Sequence, residues 1–330
     1  MKTSFVTSTD KQRLAAELLR FLRAGVAPAS ELATTLGVSS TEPPTLADHL
    51  ESLGFDISRN PLLGYHLVSE PNRLTAEAIL SYMEGEWLPN MATVNSTSST
   101  NTDVFQRGLN EECGPFVLFA EHQTAGRGRL GRSWESSPGD GLWMSFLLRP
   151  ECPPWILHRI TSLTALALSE SVDRVTGCSS QIKWPNDVVI NGRKIAGILA
   201  ETGNSPKRGP FVVVGVGINV NQNDFPDTIA QTAASLRQIS GSSVNRAKLA
   251  AHFIGSLGKW LQKIGDGFAV ALNDIRSRSS VLGKAITIYT GATSISGLAE
   301  ELGENGELVL RLEDGSLRAF NTGEVSLKAF

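Results

Sequence analysis

The chain has 330 residues, of which 41% are hydrophobic and 19% are charged. These values exclude a fibrous repeat and a wholly disordered chain, and the length allows two or three domains of about 100–200 residues each. Lysine and arginine number 30 against 33 aspartates and glutamates, which gives a formal net charge of −3. The chain is therefore not a polycation that coats nucleic acid, and any affinity for anions must come from a local cluster of basic residues.

The cysteines and the N-terminal segment bear on the cellular compartment. Cys113, Cys152 and Cys178 are odd in number and widely spaced, without a Cys-x-x-Cys pair, which argues against a disulfide framework or a zinc site. The N-terminus lacks the apolar stretch of about 7–15 residues that a signal peptide requires. No run approaches the roughly 18 apolar residues of a membrane span. We therefore expect a cytoplasmic protein without a membrane segment.

The N-terminal part of the chain predicts three short helices. Leucines recur at helical spacing in the first helix, and Gly25 is a suitable stop. Ser30 can cap a second helix that ends at Gly37, and Ser39-Ser40-Thr41 can cap a third that runs to Gly54. The short connection between the second and third helices has helix-turn-helix spacing.

Two short strands follow these helices. The runs 55–57 and 65–68 can pair around the turn of residues 60–64. Together with the helices, this strand pair predicts a winged helix-turn-helix domain over residues 1–70.

Residues 71–279 predict a mixed α/β domain. Glu70-Pro71-Asn72 marks its boundary, and Thr75 can open its first helix. Long helices are expected near 154–175 and 244–264. Apolar strands are expected at 116–121, 141–150, 181–190, 194–201 and 210–220. In the last segment, residues 280–330, five short alternating runs separated by glycine turns predict a small β-barrel.

The most informative motif is a loop rich in arginine and glycine, residues 126–134, which follows the strand 116–121. Arginines supply permanent charge and forked donors, and glycines let backbone N–H groups approach an anion. The loop therefore predicts a carboxylate or phosphate site, with a solvated basic turn as the alternative. Gly126, Gly128 and Gly131 match G-x-G-x-x-G, but the sequence continues into another strand, whereas a dinucleotide site needs a helix there.

A second motif, Lys183-Trp184-Pro185-Asn186-Asp187, stands at the end of an apolar strand. Lysine is a mobile charge for an α-phosphate, and Asn and Asp can hold Mg²⁺ directly or through water. An ordinary β-turn is an equally good interpretation of Pro-Asn-Asp. Asn191-Gly192 predicts a hairpin turn, so we expect Lys183 and Lys194 on paired strands of one sheet.

Two other polar segments interrupt apolar surroundings. Asn219 closes a buried strand and needs a hydrogen-bond partner, which is either a ligand or the backbone. The hydroxyl and amide groups of residues 95–101 suit a neutral polar ligand, but a capped helix start is an equally good local interpretation.

Taken in order, these segments closely resemble the bacterial biotin–protein ligases. The N-terminal domain and the C-terminal barrel resemble the bifunctional subgroup, which also represses the biotin operon, and the resemblance covers nearly the whole chain. It implies an α+β protein: a winged helix-turn-helix domain, a central biotin/lipoate ligase-like domain and an SH3-like barrel. The motifs are S-T-N at 99–101, E-x-Q-x-A-G-R-G-R-x-G-R-x-W at 121–134, K-W-P-N-D at 183–187, K-x-A-G-I-L-x-E at 194–201 and G-x-G-I-N-V-N at 215–221.

The resemblance implies a two-step reaction. The carboxylate of biotin attacks the α-phosphate of ATP, with Mg²⁺, and gives biotinyl-5′-adenylate and pyrophosphate. A lysine of the biotin carboxyl carrier protein of acetyl-CoA carboxylase then attacks the mixed anhydride. Because both first-step reactants are anionic, that step needs charge neutralisation and alignment more than a protein nucleophile. The family also implies a homodimer linked to adenylate binding.

The resemblance assigns roles to individual residues. The implied catalytic residues are Lys183, Arg129 and Lys194, and those near magnesium, through the phosphates, are Asn186 and Asp187. The implied biotin-binding residues are Ser99, Thr100, Asn101, Gln123, Arg127, Gly128, Arg129 and Lys194. The residues implied for ATP and the adenylate are Arg127, Arg129, Arg132, Trp134, Lys183, Asn186 and Asn219.

Operator DNA is the second implied partner, through a helix-turn-helix around Glu31 to His49. Residues 1–70 contain 6 lysines and arginines against 8 acidic residues, a net of −2, and the expected recognition helix at 40–52 has no lysine or arginine. DNA affinity depends on phosphate neutralisation, so the negative charge argues against the DNA binding that the fold favours.

The alternatives to a biotin ligase are a biotin-sensing transcription factor and a lipoate or octanoate ligase. The arginine-dense loop favours the biotin branch over the lipoate branch.

Overall fold

A computed structural model describes residues 10–85, 87–110, 114–150, 157–291 and 293–327. The described helices are α1 (Asp10–Ala24), α2 (Ala29–Leu36), α3 (Glu42–Ser52), α4 (Ala76–Tyr82), α5 (Thr100–Leu109), α6 (Leu157–Thr176), α7 (Leu236–Ser240), α8 (Arg246–Leu261) and α9 (Phe268–Ser277). The described strands are β1 (Asp56–Asn60), β2 (Gly64–Ser69), β3 (Asn90–Thr97), β4 (Phe116–Gln123), β5 (Gly141–Leu148), β6 (Gln181–Lys183), β7 (Asp187–Ile190), β8 (Arg193–Ser205), β9 (Gly209–Asn219), β10 (Ala285–Thr290), β11 (Thr293–Leu302), β12 (Leu308–Arg311), β13 (Leu317–Phe320) and β14 (Glu324–Leu327).

The N-terminal helices and strands form where the sequence predicts them. Helices α1 to α3 pack together through buried leucines, and β1 pairs with β2 as an antiparallel hairpin. Gly37 ends α2 in the left-handed conformation that glycine adopts without strain. The predicted cap at Ser30 is wrong, because α2 begins at Ala29 after Pro28 and Ser30 lies inside its first turn. Proline fixes a helical φ and needs no N–H there, so it can precede the first turn.

The centre of the molecule is a seven-stranded mixed sheet in the order β3-β4-β5-β9-β8-β7-β6. Alternate residues of its strands are buried on both faces: Phe116 and Leu118 pack toward α5, and Val117 and Phe119 toward the larger core that includes α6 and α8. Among the described strands of this sheet, only β3 and β4 pair in parallel. The sheet is therefore buried on two sides, and polar groups at its strand ends are positioned by a rigid layer.

The predicted single strand at 181–190 is wrong. It is two strands, β6 and β7, that pair with each other around the turn formed by residues 184–186. Pro185 cannot donate to a strand ladder, and Pro-Asn favours a turn, so the chain reverses there. Strand β7 lies between β6 and β8, so Lys183 and Lys194 stand on next-but-one strands of one sheet instead of paired strands.

The C-terminal segment forms a five-stranded antiparallel sheet in the order β13-β12-β11-β10-β14. All five predicted strands are present, although residues 328–330 of the last lie outside the described residues.

Two of the three cysteines, Cys113 and Cys152, also lie outside the described residues, and Cys178 is a free thiol. In the described part of the chain, we find no helix with the length and apolar character to cross a membrane.

A buried ion pair ties the central sheet to the segment that leads into it. The Arg246 guanidinium on α8 lies 3.0 Å from Glu121 Oε2 at the end of β4, and its side chain is 3% exposed. Arg246 also donates to the carbonyls of Asn72 and Gly141, while Glu121 Oε1 accepts the Leu74 N–H. This network fixes the chain after residue 71 against the strand that carries Gln123.

Removing the Glu121 carboxylate tests this network. The variant E121A leaves a buried guanidinium without its counter-ion, which typically costs about 3–5 kcal/mol of stability. We expect urea denaturation to show a loss of that size. The control is E17A, because Glu17 and Arg20 form an exposed pair, and exposed pairs contribute about 0–1 kcal/mol. Equal stability of the two variants would contradict the account.

Candidate active site

One cavity of about 240 Å³ lies between the central sheet, the arginine–glycine loop and the end of the C-terminal sheet. Asn219 is not among its lining residues; it is buried at the end of β9, opposite Gly141. The other predicted site residues all line this cavity: Ser99, Thr100, Asn101, Gln123, Arg127, Gly128, Arg129, Arg132, Trp134, Lys183, Asn186, Asp187 and Lys194.

One wall of the cavity is polar but uncharged. Thr100 and Asn101 begin α5, and Gln123 ends the neighbouring strand β4. The Thr100 backbone N–H donates to Gln123 Oε1 at 2.9 Å, and Gln123 Nε2 donates to Ser136 Oγ at 3.0 Å. This wall therefore holds fixed amide and hydroxyl groups that suit a neutral polar ring.

Two glycines on paired strands make a flat seat for Trp134. Gly197 on β8 pairs with Gly217 on β9. A Cβ at Gly217 would lie 2.5 Å from the indole, and one at Gly197 would lie 2.8 Å from it. The Lys194 ammonium stands over the same ring at 5.1 Å from its centroid, which is a cation–π contact. The glycines of the two strand motifs thus place an aromatic side chain beside a cation.

The three arginines of the loop contact different parts of the molecule. Arg127 donates to Glu201 Oε2 on β8 at 2.7 Å. Arg129 donates to Asn186 Oδ1 at 2.8 Å and to the Thr322 hydroxyl at 3.0 Å, next to the C-terminal sheet. Burial lowers the pKa of the Arg129 guanidinium below its ordinary value, but an arginine stays charged in a protein. The loop therefore carries permanent positive charge into the cavity.

Two further ion pairs and Lys183 complete the charged side. Arg132 pairs with Glu324 of β14 at 2.6 Å, and Lys194 Nζ lies 2.7 Å from Asp187 Oδ1. Lys183 ends β6 directly opposite Asp187. The cavity thus joins a neutral polar wall to a group of five cationic side chains.

Several residues of the site were not assigned from the sequence. Glu201 lies within a recognised motif, but no local signal showed that it pairs with Arg127. Thr322 and Glu324 contact Arg129 and Arg132 across about 190 positions of sequence, and no local pattern reports such a contact. Ser145, a single serine within the apolar strand β5, has no neighbouring motif that marks it as part of the site.

Comparisons with known proteins agree with this geometry. Residues 93–219 match the biotin/lipoate A/B protein ligase family, and residues 281–328 match the biotin protein ligase C-terminal domain. The chain is 31% identical over 298 residues to the bifunctional ligase/repressor BirA of Bacillus spizizenii, covering 88% of this chain and 91% of that protein. It is 34% identical over 223 residues to the biotin–[acetyl-CoA-carboxylase] ligase of Mycobacterium tuberculosis, covering 66% of this chain and 81% of that protein.

A solved structure matches as well. The biotin protein ligase of Aquifex aeolicus, in complex with biotin and ATP, superposes with a TM-score of 0.63 at 30% identity, covering 72% of this chain and 98% of that one. A cavity that gathers cations beside a neutral polar wall suits an enzyme that brings a carboxylate and a phosphate together. The chain belongs to the biotin/lipoate A/B protein ligase family, among its biotin protein ligases.

The glycine seat gives a direct test of the site. In G217A, the added Cβ would lie 2.5 Å from the Trp134 ring, and overpacking of this kind costs about 1–3 kcal/mol. We expect the loop to relieve the clash by leaving the sheet, so that biotin affinity measured by calorimetry falls roughly tenfold or more, which is about 1.4 kcal/mol.

The matched control is G265A, because a Cβ at Gly265 would meet nothing within 4 Å. It is expected to bind biotin as the unmodified protein does. If G217A bound biotin with unchanged affinity, Trp134 and its glycine seat would have no part in the site.

Proposed function

We propose that this protein is an ATP-dependent biotin–[acetyl-CoA-carboxylase] ligase. In the first step, a carboxylate oxygen of biotin attacks the α-phosphorus of ATP, the bond to the bridging oxygen breaks, and biotinyl-5′-adenylate and pyrophosphate form. In the second step, the amine of a carrier-protein lysine attacks the acyl carbon. An amide bond forms, AMP leaves, and the amine loses a proton.

The observation that carries this proposal is the convergence of five cations and a neutral polar wall on one cavity. Two anions must meet in the first step, and their repulsion is the main barrier that the protein can lower. Arg127, Arg129 and Arg132 on the loop and Lys183 and Lys194 on the sheet supply that neutralisation. Once the reactants are bound, charges held in a partly buried site act without reorganising during the reaction.

The neutral wall assigns one end of the cavity to biotin. We infer that Ser99, Thr100, Asn101 and Gln123 surround the ureido ring, since amide and hydroxyl groups complement its N–H and C=O groups. The carboxylate end then points toward Arg127, Gly128, Arg129 and Lys194, and Trp134 covers the nucleotide side. Lys183 is the residue that we assign to the α-phosphate.

The donor set at the K-W-P-N-D turn does not make a protein-held magnesium site. Asn186 Oδ1 already accepts a hydrogen bond from Arg129, and Asp187 pairs with Lys194. Within the described residues, no three His, Cys, Asp or Glu side chains come together as metal ligands. We therefore assign Mg²⁺ to the phosphates of ATP, with Asn186 and Asp187 as the protein groups on that side of the cavity.

The function is tested by incubating the purified chain with biotin, ATP, Mg²⁺ and a purified biotin carboxyl carrier domain. We expect one biotin on the carrier lysine, detected by mass spectrometry, and pyrophosphate release that depends on biotin. Transfer of octanoate or lipoate in place of biotin would favour the lipoate branch of the family. No transfer by well-folded protein would contradict the proposal.

Lys183→Met tests the assigned phosphate contact. Removing a preorganised charge from a transition state typically lowers the rate about 10²–10³-fold, and we expect that loss in biotin-dependent pyrophosphate release. Lys248→Met is the matched control, because Lys248 is exposed on α8 away from the cavity. If K183M and K248M released pyrophosphate equally fast, Lys183 would have no catalytic role.

A second function, operator binding, is favoured by the N-terminal elements. We propose that α1 to α3 with β1 and β2 form a winged helix-turn-helix domain over residues 1–70, before the catalytic domain (71–279) and an SH3-like barrel (280–330). Asp48 and Glu51 on α3 both pair with Arg59 of β1, at 2.5 and 2.6 Å. Arg59, beside this helix, is therefore paired with the helix's own acids, which leaves its charge less available for a phosphate contact.

Operator binding is tested by fluorescence anisotropy with a DNA duplex from a biotin operon. The slope of log K against log salt is roughly −0.9 per phosphate contacted, so we expect a slope shallower than about −3. The double variant D48N/E51Q frees Arg59 and is expected to bind DNA more tightly. Absence of binding at low salt, with or without biotin and ATP, would remove this second function.

A ligand-linked homodimer and a cytoplasmic location stay predictions from the sequence.

A further inference from the structure

Ser145 is a fully buried serine on β5 that does not line the cavity but contacts two residues that do. Its Oγ donates to Asn101 Oδ1 at 2.6 Å and lies 2.7 Å from Thr100 Oγ1. We propose that Ser145 is a positioning residue that sets the direction of the hydrogen bonds offered to the ligand ring, and so selects an acid whose ring carries N–H donors. This inference rests on the proposed biotin ligase function.

The orientation of the Asn101 amide is the first step. Its Nδ2 donates to Glu201 Oε2 at 2.8 Å and to the Leu199 carbonyl at 3.3 Å. Both partners only accept hydrogen bonds, so a reversed amide would place its oxygen against a carboxylate and a carbonyl. Asn101 Oδ1 therefore faces Ser145, and the single Ser145 proton is committed to it.

The direction of the Thr100 hydroxyl follows. Because Ser145 has no second proton to donate, the 2.7 Å contact is donated by Thr100. Gln123 Oε1 lies farther from the Thr100 hydroxyl, at 3.1 Å, and accepts instead from the Thr100 backbone N–H at 2.9 Å. Thr100 Oγ1 is then left with lone pairs only, so it offers the cavity a hydrogen-bond acceptor.

An acceptor at this position distinguishes between classes of acid. The N–H of a cyclic urea satisfies it, whereas a fatty acyl or dithiolane chain has no N–H and leaves it unpaired. Sites with buried polar groups reject ligands that cannot satisfy them far more strongly than apolar pockets do. Ser145 would therefore act on specificity through Thr100 without touching the ligand.

The backbone is also shaped for the Ser145–Asn101 contact. Gly215 on β9 stands directly opposite Ser145 in the strand register. A Cβ at Gly215 would lie 2.0 Å from Asn101 Oδ1, so only glycine admits the amide at this point. The paired strands β5 and β9 and the start of α5 therefore together position the hydrogen bond between Ser145 and Asn101.

The test uses S145A in the full chain. Asn101 Oδ1 loses its donor, and the Thr100 proton is free to turn to Gln123 Oε1, 3.1 Å away. We expect the KM for biotin to rise about tenfold, as for the loss of one buried hydrogen bond, with kcat and the KM for ATP unchanged. The affinity ratio of biotin to octanoate, measured by competition, should fall. S145C is slightly larger and keeps a weak donor, so an intermediate KM is expected.

The matched control is S171A, because Ser171 is another buried serine, on α6, whose hydroxyl donates to Ala167 O at 2.7 Å. It should leave both KM values unchanged. The inference is overturned if S145A leaves the KM for biotin unchanged, or raises the KM for biotin and ATP equally, which indicates general loosening. S145C decides by the same measurements if S145A does not fold. Failure of the unmodified chain to transfer biotin would instead overturn the proposed function.

Discussion

Mutual repulsion among five cationic side chains in one cavity is the constraint around which the site is arranged. Like charges in a partly buried site oppose one another, so each needs a nearby partner. The structure supplies those partners from separate segments: Glu201 of β8 for Arg127, Asp187 of β7 for Lys194, and Glu324 of β14 for Arg132. A ligand that carries a carboxylate and phosphates can take over these contacts. We therefore propose that the charges balanced by internal acids in the protein are the ones that bind the reactants.

Glycines shape the cavity as much as the charged side chains do. Gly197 and Gly217 leave a flat surface for Trp134, and Gly215 leaves room for Asn101. All three glycines lie on neighbouring strands of the buried sheet, so the ligand-facing groups rest on backbone that cannot shift easily. The cavity combines a rigid floor with a loop that is held to it by polar contacts, such as that of Arg129 with Thr322.

The parts of the fold and of the site that have a local sequence signal could be predicted from the sequence. Leucine spacing predicted α1, and the ordered motifs predicted most of the cavity residues. Strand β3 was missed because its second half, Asn95 to Thr97, is polar and looks like a loop. Residues 181–190 were predicted as one strand because apolar residues flank Pro185 on both sides, whereas the β-turn offered as the alternative at Pro-Asn-Asp is what the structure shows. The contact between Arg132 and Glu324 joins segments about 190 positions apart, and such contacts follow from the fold alone.

The central claim is tested most directly by a crystal structure of this chain with a non-hydrolysable biotinyl-adenylate analogue. We predict that the ring of the analogue lies against Thr100 and Gln123. Arg127 and Lys194 should have turned from Glu201 and Asp187 to the acyl-phosphate end. An analogue bound outside this cavity, or bound within it while both internal ion pairs persist, would contradict the account.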